Sequence, residues 1–591
     1  MNREYFRVLE VNLSTGKSKV LQIDGRNIAV GGSGLAALLF ERFGRVDLVW
    51  SEELQPFILA IGPLTGAFPL MSKTVAAFKS PYNDQYTESH AGGRSALALR
   101  FADLDGLVII GRAKRLSSLE IGSRNIAINE VPFMAGMDAD VSGKLLRRMS
   151  RGGSGHRSIL RIGPSGEIGS AMACVNVDSY RHFGRLGGGT VLGNKNLKGI
   201  IIQGDGSFDL PEGSGYKKLF AEVYEQVTGT EMMRKYHNLG TPANLQSLND
   251  IKSLPWRNLQ QTSDAGAIAG INGQRFADDA LLRNGACSGC PVGCIHIGYV
   301  REKFHEDNRY TYKQVAYDYE PLFSCGSMLG MANPFDVLKI MDVMEKVSID
   351  SISGGVALAW ATEALARGII SEKETEIKLA FGDGAGYCRA ALLLGTGAND
   401  FYRLLGQGTL KAAEVYGGRE FACVLGQEMA GYATGALYFT AQSLGFRHSH
   451  LDTGAYSYDQ KHDEKDISKA VSFLLNDEPG RSLLTSMVCC LFARSVYSEE
   501  VLARCSQVLG MKQIADNLSG AGERIRAHRW QLRFACGFSP EDIVLPKRFY
   551  SVRTWKGPVD GDYLDKLRRE YGRKLTELVK ETNRTAQDKQ G

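Results

Sequence analysis

The hydrophobic pattern of this chain changes period once, close to residue 205, and that switch limits the folds open to it. Before the switch, apolar residues alternate. Residues 7–13 alternate, Ser14-Thr15-Gly16-Lys17 turns the chain, and residues 18–23 resume the alternation, which reads as a β-hairpin. Further short β runs stand at residues 106–110, around 119–131, between 158 and 177, and at 197–202. The glycine- and proline-bearing stretch 204–215 then breaks every pattern and reads as a linker. Beyond it the period is helical, with an alanine-rich helix expected over 354–368 and a charged amphipathic one over 563–583. The chain is therefore expected to be α+β, a β-rich amino-terminal third followed by a mostly helical remainder.

Composition narrows the class. At 591 residues the length suits roughly three to five domains. With 43% hydrophobic and 23% charged residues, a large core is expected and wholesale disorder is excluded. Glycine is abundant, 68 residues without a collagen period, which points to tight turns and close backbone approaches. A net charge of +5, from 70 basic and 65 acidic residues, argues against a nucleic-acid binder. The polar start Met1-Asn2-Arg3-Glu4-Tyr5 carries no signal peptide, and no apolar run is long enough to cross a membrane. Eleven cysteines are too sparse for a disulfide scaffold, so a cytoplasmic, reducing location is expected and clustered thiols read as metal ligands.

Two familiar motifs fail on context. Gly32-Ser33-Gly34-Leu35-Ala36-Ala37 fits a loose dinucleotide fingerprint, but a hairpin precedes it and no regular βαβ unit follows. The glycines at 188–193 precede Asn194-Lys195 and lack the hydroxyl residue that a P-loop uses to hold magnesium.

The strongest chemical signal is Cys287-Ser288-Gly289-Cys290-Pro291-Val292-Gly293-Cys294. Three thiols spaced C-x2-C-x3-C, with glycines and proline to turn the chain, suit three ligands of a [4Fe–4S] cluster. The fourth thiolate must come from elsewhere, and Cys489-Cys490 is available. A zinc knuckle, or three free cysteines that merely cluster, are the plainer readings of the same spacing.

With the motifs around it, this cluster resembles the aldehyde ferredoxin oxidoreductase family of tungsten-pterin enzymes. The resemblance runs through Gly31-Gly32-Ser33-Gly34, Gly62-Pro63-Leu64-Thr65-Gly66, Ala91-Gly92-Gly93, Gly184-Arg185-Leu186-Gly187-Gly188 and Gly193-Asn194-Lys195-Asn196-Leu197-Lys198 to Tyr319-Glu320. It implies a pterin-binding base domain at 1–205, a helical domain carrying the cysteines at 206–420 and a helical carboxy-terminal domain at 421–591. It also implies a tungsten-bis(pterin), with molybdenum the alternative metal, a [4Fe–4S] cluster and a magnesium ion bridging pterin phosphates.

Site residues carry over with several departures. Arg185 matches the family's pterin-contacting arginine, and Lys73 stands where an arginine usually lies between pterin and cluster. His90, Ala91 and Gly92 occupy the place of an Asn-containing loop, and the His90 and Leu186 carbonyls are the implied magnesium ligands. Glu345 and Asp350 take the acid positions of a pterin-binding D-x-x-G-L-D motif. Cys490 falls at the fourth cluster position with Cys489 the register alternative, while Thr485 replaces an aspartate. Glu302-Lys303-Phe304-His305 has the spacing of the family's intersubunit E-x-x-H motif but not its place, where Lys339 stands, so a homo-oligomer is left open.

The resemblance makes Glu320 and His448 the catalytic acid–base pair, with His450 a register alternative because residues 448, 450 and 452 would share one face of a strand. Cys325, five residues beyond Glu320, is a candidate tungsten ligand of the kind used by tungsten benzoyl-CoA reductases. The implied activity is oxidation of an aldehyde to a carboxylic acid, with electrons leaving through the cluster to ferredoxin or an iron–sulfur subunit. The alternatives are a low-potential tungsten reductase and a non-catalytic iron–sulfur electron-transfer subunit.

Overall fold

The computed structural model describes residues 3–150, 156–207, 209–305 and 309–588. Its amino-terminal part is built on two six-stranded sheets. The first contains β1 (Phe6–Asn12), β2 (Lys17–Ile23), β3 (Phe57–Ala60), β4 (Thr74–Lys79), β5 (Tyr86–Ala91) and β6 (Gly106–Ile110) in the order β2-β1-β6-β3-β4-β5. The hairpin read from residues 7–23 is β1–β2, paired antiparallel from Phe6↔Ile23 to Asn12↔Lys17. The second sheet contains β7 (Ser117–Gly122), β8 (Ile126–Glu130), β9 (Arg157–Arg161), β10 (Val175–Val177), β11 (Arg181–Phe183) and β12 (Leu197–Gln203), ordered β11-β10-β9-β12-β7-β8.

The two sheets face each other across one apolar layer. Leu9, Val11, Leu59, Phe78 and Ile109 of the first meet Leu119, Ile121, Leu160, Val175 and Ile200 of the second, all buried. Their summed apolar burial, at roughly 25 cal/mol per Å², is what holds the sandwich together. The lysines of the 193–198 motif lock it from behind. Lys195 Nζ donates to the carbonyls of Glu53 at 3.1 Å and Gly111 at 3.2 Å, and Lys198 Nζ to that of Met137 at 2.7 Å. Burial presses Lys195 down to a pKa of about 7, which marks it as an interior staple and leaves no phosphate-binding lysine there.

The remainder is mostly helical. The Ser351–Ala366 helix is buried along most of its length and is capped by Asp350, whose carboxylate accepts from the Ile352 and Ser353 amides. A long Gly561–Asp588 helix closes the chain. The region's largest β element is a sheet of three strands, beside two short two-stranded ones. β13 (Leu281–Gly285), β14 (Ile295–His305) and β15 (Arg309–Tyr317) form a three-stranded antiparallel sheet, and the cysteine loop is the β13–β14 connection.

Three glycines weld the base to the parts that cover it. A Cβ on Gly32 would fall 2.2 Å from the Thr485 carbonyl oxygen, one on Gly62 would fall 2.4 Å from that of Met487, and one on Gly92 would fall 2.6 Å from Cys287 Sγ. No larger residue fits at these contacts, so these three glycines let the base and its cover approach closely.

Candidate active site

Base and cover enclose a cavity of about 370 Å³. Its wall includes residues from Leu70 near the amino terminus to Phe492 near the carboxy terminus. Three chemically distinct groups line it.

The first is sulfur. Cys287, Cys290, Cys294 and Cys490 all lie on the wall and all are half-buried. Gly289 (φ +66°) and Gly293 (φ +64°) adopt the left-handed turns that fold the loop back on itself. The loop is pinned to the base where Ser288 N donates to the Gly93 carbonyl at 3.0 Å and Leu70 N donates to that of Gly289 at 3.3 Å. Cys490 N in turn donates to the Leu70 carbonyl at 3.0 Å, which brings the distant cysteine to the same corner. Burial, and then the neighbouring thiols, raise Cys294 to about 12, and Cys490 is the first thiol acting on it. Cys489 also reaches the wall but is buried, its Sγ 3.4 Å from the Cys490 carbonyl oxygen.

Four thiols on the wall of one cavity are a donor set that a cluster could use. Among the described residues no three His, Cys, Asp or Glu side chains converge as the ligands of one metal ion would. A zinc knuckle demands that convergence, with each sulfur about 2.3 Å from one metal. A [4Fe–4S] cluster assigns each thiolate to a different iron and spreads them apart.

The second group is cationic and faces the thiols. Lys73 lies beside Gly92 and Cys287, its Nζ 3.5 Å from the Gly92 Cβ position. Burial disfavours its charge, yet the cysteines outweigh that and its pKa is raised. Arg181, His182, His90 and Arg447 continue this wall. Arg185 stands behind it, with Nε 3.4 Å from Asp350 Oδ2 and Nη2 donating to the Glu428 carbonyl. Arg185 Nη1 and Arg181 Nε are buried without a hydrogen-bond partner. Buried, unpaired guanidinium nitrogens are costly unless an acceptor completes them, and pterin phosphates are such acceptors.

The other carried-over positions fall as follows. Glu345 lines the cavity and is held by His182 Nε2 at 2.5 Å and Asn176 Nδ2 at 2.8 Å. Burial alone would raise its pKa, but His182 and Arg161 bring it below the ordinary value. Leu186 adopts φ 71°, and its carbonyl accepts the Ser80 hydroxyl at 2.7 Å. Ala91 packs its methyl into the apolar layer between the sheets, so only its backbone is free to serve the site. His90 is fixed by two partners: Nε2 lies 3.1 Å from Glu88 Oε2, and Nδ1 lies 3.1 Å from Arg447 Nη1. A guanidinium only donates, so Nδ1 is the acceptor and Nε2 carries the proton. Burial and the Arg447 charge lower this imidazole to about 4, so it is neutral.

The third group is Glu320 with its neighbours, and here the backbone corrects the sequence reading of a strand. Residues 446–452 form turns, not a strand, and His448 has φ 50°. The two histidines therefore diverge. His448 is buried away from the cavity, with Nδ1 3.2 Å from the Gln442 carbonyl oxygen and Nε2 2.7 Å from Arg533 Nη2. His450 lines the cavity, and its Nε2 lies 2.9 Å from Glu320 Oε1. The same oxygen accepts the Tyr432 hydroxyl at 2.9 Å. Burial pushes Glu320 up, but His450 and then Tyr432 prevail, and its pKa lies below the ordinary value.

Cys325 is the second correction. It is fully buried off the cavity wall, with Sγ 3.7 Å from Met344 Sδ, and burial raises it to about 12. A thiol packed against methionine in the helical core is not placed to ligate a metal in the cavity. Glu302 pairs with Lys313, and the side chain of His305 lies outside the described residues.

Sequence reading missed Arg181, His182, Arg447 and Tyr432. Nothing in their spacing marks them: Arg181 and His182 share β11, while Arg447 and Tyr432 lie on separate loops far along the chain.

The chain belongs to the aldehyde ferredoxin oxidoreductase family: the model of that family's amino-terminal domain matches residues 8–204, and the model of its domains 2 and 3 matches residues 218–577. It is 26% identical over 582 residues to the tungsten-containing aldehyde ferredoxin oxidoreductase of Pyrococcus horikoshii, covering 94% of this chain and 93% of that one. It is 27% identical over 498 residues to the WOR-like subunit of an aliphatic sulfonate oxidoreductase of Pyrococcus furiosus, covering 81% and 75%. Its fold matches the active-site complex BamBC of benzoyl coenzyme A reductase, with a TM-score of 0.78 at 17% identity over 97% of this chain and 95% of that one. The protein is thus an oxidoreductase of the tungsten-pterin class.

Proposed function

We propose that this chain oxidises an aldehyde to the carboxylic acid and passes the electrons through a [4Fe–4S] cluster to ferredoxin or an iron–sulfur subunit. The observation that carries this is one cavity lined by Glu320 and His450 together with Cys287, Cys290, Cys294 and Cys490. The names of the Pyrococcus relatives add support.

Cys287, Cys290, Cys294 and Cys490 would hold the cluster, and Arg181, Arg185, Glu345 and Asp350 would hold the pterins, with Lys73 between the two. The Leu186 and His90 carbonyls remain the magnesium candidates. When bound, the metal–pterin supplies a two-electron acceptor, which is chemistry no side chain offers. The protein's own part is proton transfer. Glu320 Oε1 is occupied by two donors, so Oε2 is the oxygen that takes the proton of an attacking water. His450, braced by the same carboxylate, orients the aldehyde oxygen, and the Tyr432 hydroxyl fixes the carboxylate plane.

The reductase alternative keeps the fold likeness to BamBC as its support, while the Cys325 thiol packs against Met344. The test is elemental analysis of anaerobically purified protein, followed by aldehyde-dependent dye reduction. Tungsten or molybdenum near one per chain, iron near four, and aldehyde-dependent dye reduction are expected. Iron without either heavy metal would leave an electron-transfer subunit as the answer.

A further inference from the structure

Outside the cavity, the surface next to the cysteine loop carries an unusual set of cations. A shallow cleft of about 70 Å³ is lined by Arg94, Arg147, Arg157, Ile159 and Asp178. Among the described residues Asp178 is the one carboxylate in a salt bridge with these arginines, 3.5 Å from Arg94 Nη2, while Glu120 also attracts Arg157. Asp178 is committed elsewhere as well, accepting from Ser158 Oγ at 3.1 Å and from Ile159 N at 3.1 Å. Burial, then Arg147 and Arg94, hold the Arg157 pKa below its ordinary value, so the three guanidinium groups already repel one another.

The turn after β10 leads from Asp178 of this cleft to Tyr180 on the cavity wall. Tyr180, two residues past Asp178, takes Arg283 Nη2 at 3.1 Å, and Arg283 has no carboxylate partner among the described residues. Arg283 belongs to β13, the strand that leads into the cysteine loop. Arg94 sits two residues beyond Gly92, whose Cβ position abuts Cys287 Sγ, and follows Gly93, whose carbonyl anchors Ser288. The loop itself is thinly covered here, with Ala286 and Gly289 exposed.

We propose that the surface bearing Arg94, Arg147, Arg157 and Arg283 docks an acidic iron–sulfur protein, and that this is where electrons leave the chain. The proposal rests on the function given above and adds the place and chemistry of the exit. Oxidation of one aldehyde with one water yields one carboxylic acid, two protons and two electrons. Each docking removes one electron to an oxidised partner cluster, so two partner molecules are reduced per turnover. Electron transfer falls steeply with distance, and this is the surface that the cysteine loop itself borders. Excess arginine beside it steers an acidic partner and sets its approach rate.

The test uses the holoenzyme and a purified acidic ferredoxin carrying [4Fe–4S] clusters. Binding is measured by titration at low and at 0.3 M salt, alongside aldehyde-dependent reduction of ferredoxin and of a small dye. Arg147→Glu is the main variant because the Arg147 side chain is exposed, and an Arg94→Gln/Arg157→Gln pair is the gentler check. We expect at least tenfold weaker ferredoxin binding and a matching rise in KM, with dye reduction and iron content unchanged. High salt should erase the difference between wild type and variant. Unchanged ferredoxin affinity in both variants would overturn the docking surface. If wild type reduced no dye with any aldehyde, the functional reading would fail instead, and the ferredoxin titration would still decide the surface.

Discussion

Glu320 presents one oxygen, Oε1, to His450 Nε2 and to the Tyr432 hydroxyl at 2.9 Å each. The ring of Tyr432 lies 5.2 Å from the His450 ring and stacks on Tyr456 at 4.7 Å, so the pair is held by packing as well as by hydrogen bonds. Replacing Glu320 by Gln removes the proton acceptor and keeps the shape. Turnover should fall by about 10²–10⁴, the range for a lost general base. Tyr432→Phe deletes only a brace and should cost about tenfold, with the acidic limb of the pH–rate profile moving up as Glu320 loses a donor to its charged form. Steady-state rates across pH 5–9 check both.

The two neighbouring histidines should separate cleanly. His450→Gln should cost activity on the scale of Glu320→Gln while leaving the melting temperature within a few degrees. His448→Gln should do the reverse, because Arg533 and the Gln442 carbonyl lose their partner in the interior. Thermal melts beside dye-reduction rates distinguish the two, and equal activity loss in both variants would contradict the placement.

For the cysteines, iron content is the readout. Cys490→Ala should lower iron per chain and bleach the visible cluster absorbance, whereas Cys489→Ala should keep both. Gly92→Ala should also lose iron although it replaces no ligand, since its methyl would lie 2.6 Å from Cys287 Sγ.

A buried acid should set the stability profile between pH 4.5 and 7. Burial raises Glu478 to about 7, and although Trp530 Nε1 donates to Oε1 at 2.9 Å, Oε2 is buried without a partner. The folded-state pKa is above the unfolded one. The contribution is therefore complete below about pH 4.5 and is lost as pH rises through 7. Glu478→Gln should flatten this slope and gain up to about 3 kcal/mol at pH 8. Urea titrations at pH 5 and pH 8 measure it, with little difference expected at the lower pH.

Much of the architecture is legible in the residues. The 7–23 hairpin and the 106–110 run are strands because their apolar residues alternate or run together, and the structure places β1, β2 and β6 there. β5 hides itself: Tyr86-Thr87-Glu88-Ser89-His90-Ala91 looks like a polar loop. It is buried because Arg529, from a distant helix, neutralises Glu88 at 2.8 and 3.0 Å. β13 to β15 sit in a region whose general helical period masked them, although the tyrosines, threonine and valine of residues 309–317 favour a strand. At the site, local spacing revealed the loop cysteines. Choosing between His448 and His450 needed the backbone, since a positive φ at His448 breaks the alternation that a strand would impose.

The contact between Gly32 and Thr485 spans 453 positions of sequence, and Cys490 follows five residues later. A ribosome delivers the base and its strands long before the segment that supplies the last thiol and the roof of the cavity. The amino-terminal sandwich has its own apolar layer, but the outer face of its first sheet is completed by later residues, Arg529 among them. The chamber beneath the roof does not exist until the final hundred residues arrive. A cofactor seated beneath that roof would enter only after those residues have been made.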